Sequence, residues 1–147
     1  MIINKQFNMA NLPIQIFNTG FSVFILIVSA LTVSCSQSEI VDGDISQGSL
    51  IEQMASDNAP IILDVRTPEE YSAGHIPGAI NIPHNTLTNR IDELSEYKDE
   101  KIVVHCQSGR RAGLAEGVLR EAGYNKILHL EGDMAAWRES KLPLEGN

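Results

Sequence analysis

One cysteine stands where chemistry is most readily built, in the run His105-Cys106-Gln107-Ser108-Gly109-Arg110-Arg111-Ala112. The apolar stretch Ile102-Val103-Val104 precedes it and an amphipathic stretch follows, so the sulfur is expected at the turn from a buried strand into a helix. Turn N–H groups, the positive end of the helix dipole and the guanidinium groups of Arg110 and Arg111 would converge on that point. Such a place stabilises an anionic sulfur nucleophile and an anionic substrate together. Gly109 permits a turn that would strain a residue with a β-carbon, and the N–H groups from Gln107 through Ser108 to Arg111 can then point inward.

The elements that must position this loop are legible around it. Ile61-Ile62-Leu63-Asp64-Val65 and Lys101-Ile102-Val103-Val104-His105 are continuous runs without alternation, as strands covered on both faces are, and Asn125 to Leu130 reads as a further strand. Helical patterns lie between them over Ser46 to Ala55, Thr86 to Glu96 and Arg111 to Ala122, the last stopped by Gly123. Strands alternating with helices predict a three-layer α/β domain with a parallel sheet, whose ligand sites gather at the carboxyl ends of the strands. Cys106 is at one such end and Asp64 to Arg66 at another.

Between these ends, Thr67-Pro68-Glu69-Glu70 has the form of a capping box: Thr67 at the N-cap, Pro68 in the first turn and Glu70 returning to the cap, with Gly74 closing the short helix. Its glutamates are read as caps rather than catalysts. Asp64 and Arg66 flank the turn and are read as supporting residues, joined by an ion pair or loop hydrogen bonds.

The segment from Leu63 to Pro83, which contains Asp64-Val65-Arg66-Thr67-Pro68-Glu69-Glu70-Tyr71 and His75-Ile76-Pro77-Gly78-Ala79, closely resembles the signature of the rhodanese family. A second family motif, Cys-x-x-Gly-x-Arg, is matched by Cys106, Gly109 and Arg111. With Leu130 to Trp137 the resemblance runs from about Ile45 to Pro143. It implies a three-layer α/β fold with a five-stranded parallel sheet between helices. It implies equally that Cys106 carries a transient persulfide in the six-residue loop Cys106 to Arg111, taking sulfur from a donor such as thiosulfate and passing it to a thiol or cyanide acceptor. By the same resemblance Arg111, before Arg110, would hold the donor with help from Gln107, Ser108 and Gly109, and His75 would fix its own turn. No cofactor is implied.

Departures from the family pattern accompany these matches. Gln107 stands where many members have a basic residue, and Gly132-Asp133 replaces paired glycines at a place read as outside the loop. A cysteine-dependent phosphatase is the nearest enzymatic rival, but its arginine would fall six positions after the cysteine, at Ala112. A docking module that binds, or delivers sulfur to, a protein partner is the rival from another class, and the retained cysteine, glycine and arginine favour chemistry over it.

His105 adjoins the nucleophile, yet neighbours on a strand point to opposite faces, so a base role is not expected of it. His84 and His129 lack partners at ligand spacing, so no metal site is indicated. Trp137 reads as a packing residue.

The remaining expectations concern address and partners. Phe21 to Val33 is an uncharged apolar stretch of 13 residues, short of the roughly 20 that span a bilayer, behind a leader whose only charge is Lys5. It ends at Leu31-Thr32-Val33-Ser34-Cys35-Ser36, which resembles the lipobox of bacterial lipoproteins, with Thr32 where that family prefers leucine. Three outcomes stay open: a lipid on Cys35, an uncleaved anchor, or secretion after a small residue. All place the domain in the cell envelope outside the cytoplasm, as a periplasmic or outer-membrane lipoprotein in the first outcome. The organisation expected is a signal peptide over 1–34, a tether over 35–44 and the folded domain over 45–147.

Only Lys5 among the 11 Lys and Arg precedes Cys35, and all 19 Asp and Glu follow it. The resulting acidic domain is an unlikely partner for nucleic acid. It is expected to act as a monomer on small molecules. The chain has two cysteines, and with lipid on Cys35 it would have Cys106 as its one free thiol.

Overall fold

A computed structural model describes residues 40–146. The segment expected as a signal peptide, Cys35 and the start of the tether lie outside the described residues. Five strands form one parallel sheet: β1 (Val41–Ile45), β2 (Ile61–Asp64), β3 (Ile80–Asn81), β4 (Ile102–His105) and β5 (Lys126–Leu130), in the order β1-β5-β4-β2-β3. The two continuous apolar runs, β2 and β4, pair at the centre, Ile61 opposite Ile102 through Asp64 opposite His105. Every residue of β4 is buried, as a strand covered on both faces must be.

Alternation along these strands sorts their side chains into two cores. Leu63, Ile102 and Val104 pack with Leu87, Leu94, Ala115 and Leu119 on one face. Ile62 and Val103 pack with Leu50, Ile76, Met134 and Trp137 on the other. The first core lies under α3 (Leu87–Arg90), a following 3-10 helix (Ile91–Tyr97) and α4 (Arg110–Glu121). The second lies under α1 (Gln47–Met54) and α5 (Asp133–Glu139), with Tyr71 of the short α2 (Pro68–Ser72) packed against it. Each fully buried Leu, Ile or Val contributes about 1.5–3 kcal/mol, and both faces of the sheet are thereby shut to water. Trp137 is buried and donates its indole N–H to the Pro143 carbonyl at 2.9 Å, a packing role as expected.

Two sequence readings change. The tether expected over 35–44 is too long, because Val41–Ile45 is an edge strand in register with Lys126 to Leu130. Val41-Asp42-Gly43-Asp44-Ile45 has no apolar run to announce it; β5 supplies the partner groups, and Asp42 and Asp44 keep the outer edge charged. The helix expected from Thr86 to Glu96 is broken into α3 and the 3-10 helix. Thr86 makes no side-chain cap, and successive acidic residues at Asp92 and Glu93 follow at the break.

Candidate active site

Cys106 follows β4, the middle strand of the sheet, so the loops after β5 and β2 stand on either side of it. Its side chain belongs to the face that carries α4, while His105 belongs to the opposite face. The Gly109 N–H donates to Cys106 Sγ at 3.2 Å. Gly109 has φ 92°, where a β-carbon is strained and would come within 3.2 Å of Asp133 Oδ2. It is also the N-cap of α4, so the sulfur sits at the positive end of a 12-residue helix. The thiol is 1% exposed.

Arg111 lies at this site, but its guanidinium is already occupied. Its two terminal nitrogens donate to Glu70 at 2.6 and 2.8 Å, a bidentate pair across 41 residues of chain. Those hydrogen bonds, with a further one from the Thr67 N–H, hold the Glu70 carboxyl at about 2 against the opposing effect of burial. The same bonds raise Arg111, and its contact with the Cys106 side chain adds to the effect. Glu70 closes the expected capping box as well: its carboxylate accepts from Thr67 N–H at 3.0 Å, and its own N–H donates to Thr67 Oγ1 at 3.3 Å. Reading Glu70 only as a cap was therefore incomplete. It ties the β2 loop to the cysteine loop through Arg111.

Arg110 and Ser108 are exposed, and Gln107 is half-buried. The Gln107 carbonyl accepts from the Ala135 N–H at 3.1 Å. Asp64 and Arg66 do form the expected ion pair, with Arg66 donating to both carboxylate oxygens and, at 2.9 Å, to the Gly74 carbonyl. Asn81 caps the same turn by donating to the carbonyls of Asp64 and Arg66. His75 is engaged at Tyr71. Its Nδ1 is 3.0 Å from the Tyr71 carbonyl, and its ring stacks on Tyr71 at 3.6 Å. His105 is fully buried, and that burial lowers its affinity for a proton despite the pull of Asp64. A neutral ring on the far face of the strand offers Cys106 no base.

The residue that sequence reasoning misplaced is Asp133, assigned outside the loop. Its Oδ1 accepts the N–H of Cys106 itself at 2.7 Å. Oδ2 faces His129 Nε2 at 3.3 Å, and His129 Nδ1 faces Glu116 Oε1 at 2.5 Å. The one local signal was an aspartate in place of a family glycine, four residues after a histidine. Nothing local points from position 133 back to position 106.

A parallel α/β domain that offers a cysteine from its central strand to the first turn of a helix, in a Cys-x-x-Gly-x-Arg loop, has the arrangement of a rhodanese-like domain. The chain belongs to the rhodanese-like family, whose model matches residues 46–140. A sulfurtransferase of Allochromatium vinosum is 34% identical over 101 residues, which cover 69% of this chain and 92% of that protein. The tRNA uridine(34) hydroxylase of Cronobacter sakazakii is 32% identical over 110 residues, 69% of this chain and 32% of that enzyme, so the likeness reaches only about a third of it. Among solved structures, a rhodanese-related protein of Thermoplasma volcanium is 33% identical with a TM-score of 0.62, covering 71% of this chain and 98% of that one. The expected three-layer fold is thereby established.

Proposed function

We propose that this domain is a sulfurtransferase that carries a sulfane sulfur on Cys106. The thiolate attacks the outer sulfur of a donor such as thiosulfate, a new S–S bond forms, the donor's S–S bond breaks, and sulfite leaves with the bonding pair. An acceptor nucleophile, a thiol or cyanide, then attacks the outer sulfur of the persulfide and the Cys106 thiolate departs. Neither step needs a protein acid, because sulfite and thiolate leave unaided.

The observation that carries this reading is the sulfur beneath the Gly109 N–H at the start of α4. A phosphatase is disfavoured by Ala112, a fully buried methyl where that chemistry needs an arginine. The test is the intact mass of the reduced, desalted protein before and after thiosulfate. A gain of one sulfur that cyanide removes is expected, and an unchanged mass with thiosulfate and polysulfide alike overturns the reading in favour of a docking module.

The same proposal extends to address: Cys35 carries a lipid that holds the domain at the envelope. Support comes from the apolar stretch and the lipobox-like sequence before Cys35. Cys35→Ala is expected to move the protein from the membrane fraction to the soluble one, and retention in the membrane would overturn lipidation in favour of an uncleaved anchor.

A further inference from the structure

The first turn of α5 grips the peptide units around the nucleophile at three points. Asp133 accepts the Cys106 N–H at 2.7 Å, the Met134 N–H donates to the Cys106 carbonyl at 3.1 Å, and the Ala135 N–H donates to the Gln107 carbonyl at 3.1 Å. The two carbonyls are thereby engaged away from the sulfur, which leaves the next N–H groups, Gly109's in particular, free to face it. Asp133 holds its place with φ 51°, a left-handed conformation uncommon in residues other than glycine, and it is 2% exposed. A buried carboxylate in a costly backbone conformation is retained by what it binds.

We propose that Asp133 is a positioning residue that fixes the backbone of Cys106, and that His129, itself gripped by Glu116, holds the Asp133 carboxylate in place. The proposal rests on the reading of Cys106 as the sulfur acceptor. Each ring nitrogen of His129 faces a carboxylate, Glu116 at Nδ1 and Asp133 at Nε2. Both contacts are hydrogen bonds only when the ring carries both protons.

Other charges around the ring are few. Arg120 on α4 lies 3.6 Å from Glu116 and also binds Asp42, and Asp44 on β1 is the register neighbour of His129. On β4 the neighbour is Val104, and the cysteine loop presents Gly109. Burial alone would lower the proton affinity of His129, but the Glu116 hydrogen bond and the Asp133 charge outweigh it and raise the pKa above the ordinary 6.5. As pH rises through that raised value the ring loses a proton, one contact becomes lone pair against carboxylate, and Asp133 loses its counter-ion. The grip on Cys106 is therefore full at lower pH and slackens as pH rises.

The test compares Asp133→Ala with Asp133→Asn, which remove the same charge but differ in whether an oxygen remains to accept the Cys106 N–H. Two rates are measured: sulfur uptake from thiosulfate by intact mass, and alkylation of Cys106 by iodoacetamide, which needs no sulfur donor. The alanine variant is expected to be slower than the asparagine variant by about tenfold in both, since sub-ångström misplacement of a reacting group has effects of that order. The ratio of wild-type to Asp133→Asn rates, each rate first divided by that protein's thiolate fraction read from its ultraviolet absorbance, is expected to fall about threefold or more between about pH 6 and about pH 9. Alanine and asparagine variants within twofold of each other, or a flat ratio, would overturn the proposal. If Asp133→Ala fails to fold by circular dichroism, the ratio and its loss in His129→Gln decide. A wild type that alkylates normally but takes up no sulfur would sink the sulfurtransferase reading alone, leaving the alkylation rates to score Asp133.

Discussion

Cys106→Ser is expected to abolish the proposed sulfur uptake, with turnover reduced by about a thousandfold or more and the domain still folded. An alcohol is a far weaker nucleophile toward sulfane sulfur than a thiolate, and the loop offers no base to activate it: His105 is buried on the other face, and His75 stacks on Tyr71. Removal of a lone nucleophile leaves only binding and loop electrostatics, which do not form the covalent intermediate. The structural cost is small by comparison. Cys106 packs in the core with Val65, Val104 and Ala112, so exchanging sulfur for hydroxyl loses some packing, but the Gly109 N–H remains to donate to the oxygen. A loss of about 1–2 kcal/mol is expected. Sulfite release, intact mass and thermal denaturation measure the three quantities together. Turnover within tenfold of wild type would remove Cys106 from the mechanism.

What could be read from the chain beforehand was what short stretches determine. Thr67-Pro68-Glu69-Glu70 contains its whole capping box within four residues, and the structure shows both of its hydrogen bonds. The Cys106 loop is similarly local, since the β4 run, the positive-φ Gly109 and the start of α4 occupy one short segment. The opposite faces of His105 and Cys106 follow from strand alternation alone. Contacts between distant segments were not legible. Glu70 caps its helix for local reasons and meets Arg111 only because β2 and β4 are neighbours in the sheet. Asp133 reaches Cys106 because β5 lies on the other side of β4. β1 has little apolar character and becomes a strand through its pairing with β5. Each of these depends on strand order, which a run of residue types does not encode.

The pairing of the β2 and β4 loops has consequences for how the site differs from a simple anion hole. The family resemblance gives Arg111 the role of holding the donor, but Glu70 neutralises much of its charge at any pH above about 2. Gln107 adds no charge of its own. The oriented N–H of Gly109 and the dipole of α4, which act over the first turn, then carry a larger share of the attraction for a donor at the sulfur. Such groups favour negative charge close to the sulfur, on the thiolate before attack and on the outer sulfur of the proposed persulfide after it, more than charge at a distance.

The largest effect on stability is expected at Asp64, away from the sulfur. Asp64→Ala should destabilise the domain by about 3–5 kcal/mol, the usual result of breaking a buried ion pair by removing one partner. Arg66 is 1% exposed and gives Asp64 three side-chain hydrogen bonds as well as its backbone N–H. Without the carboxylate the guanidinium keeps the Gly74 carbonyl, an uncharged acceptor, and cannot reach water without opening the turn that Asn81 closes. Small domains have total stabilities of about 5–15 kcal/mol, so the loss is a large part of the whole and lowers the melting temperature by roughly 15–30 °C. The double variant Asp64→Leu with Arg66→Met removes both charges and should recover part of the loss, the remainder reflecting the Arg66 backbone N–H left without its acceptor. Salt distinguishes this pair from the exposed Arg90 and Glu93 pair: screening weakens the exposed one, whereas the Asp64 deficit should be nearly the same at low and high ionic strength. Urea denaturation of the three proteins at two salt concentrations measures the loss, its recovery and its salt dependence, and a single-variant loss under about 1 kcal/mol would show that the pair does not hold the turn.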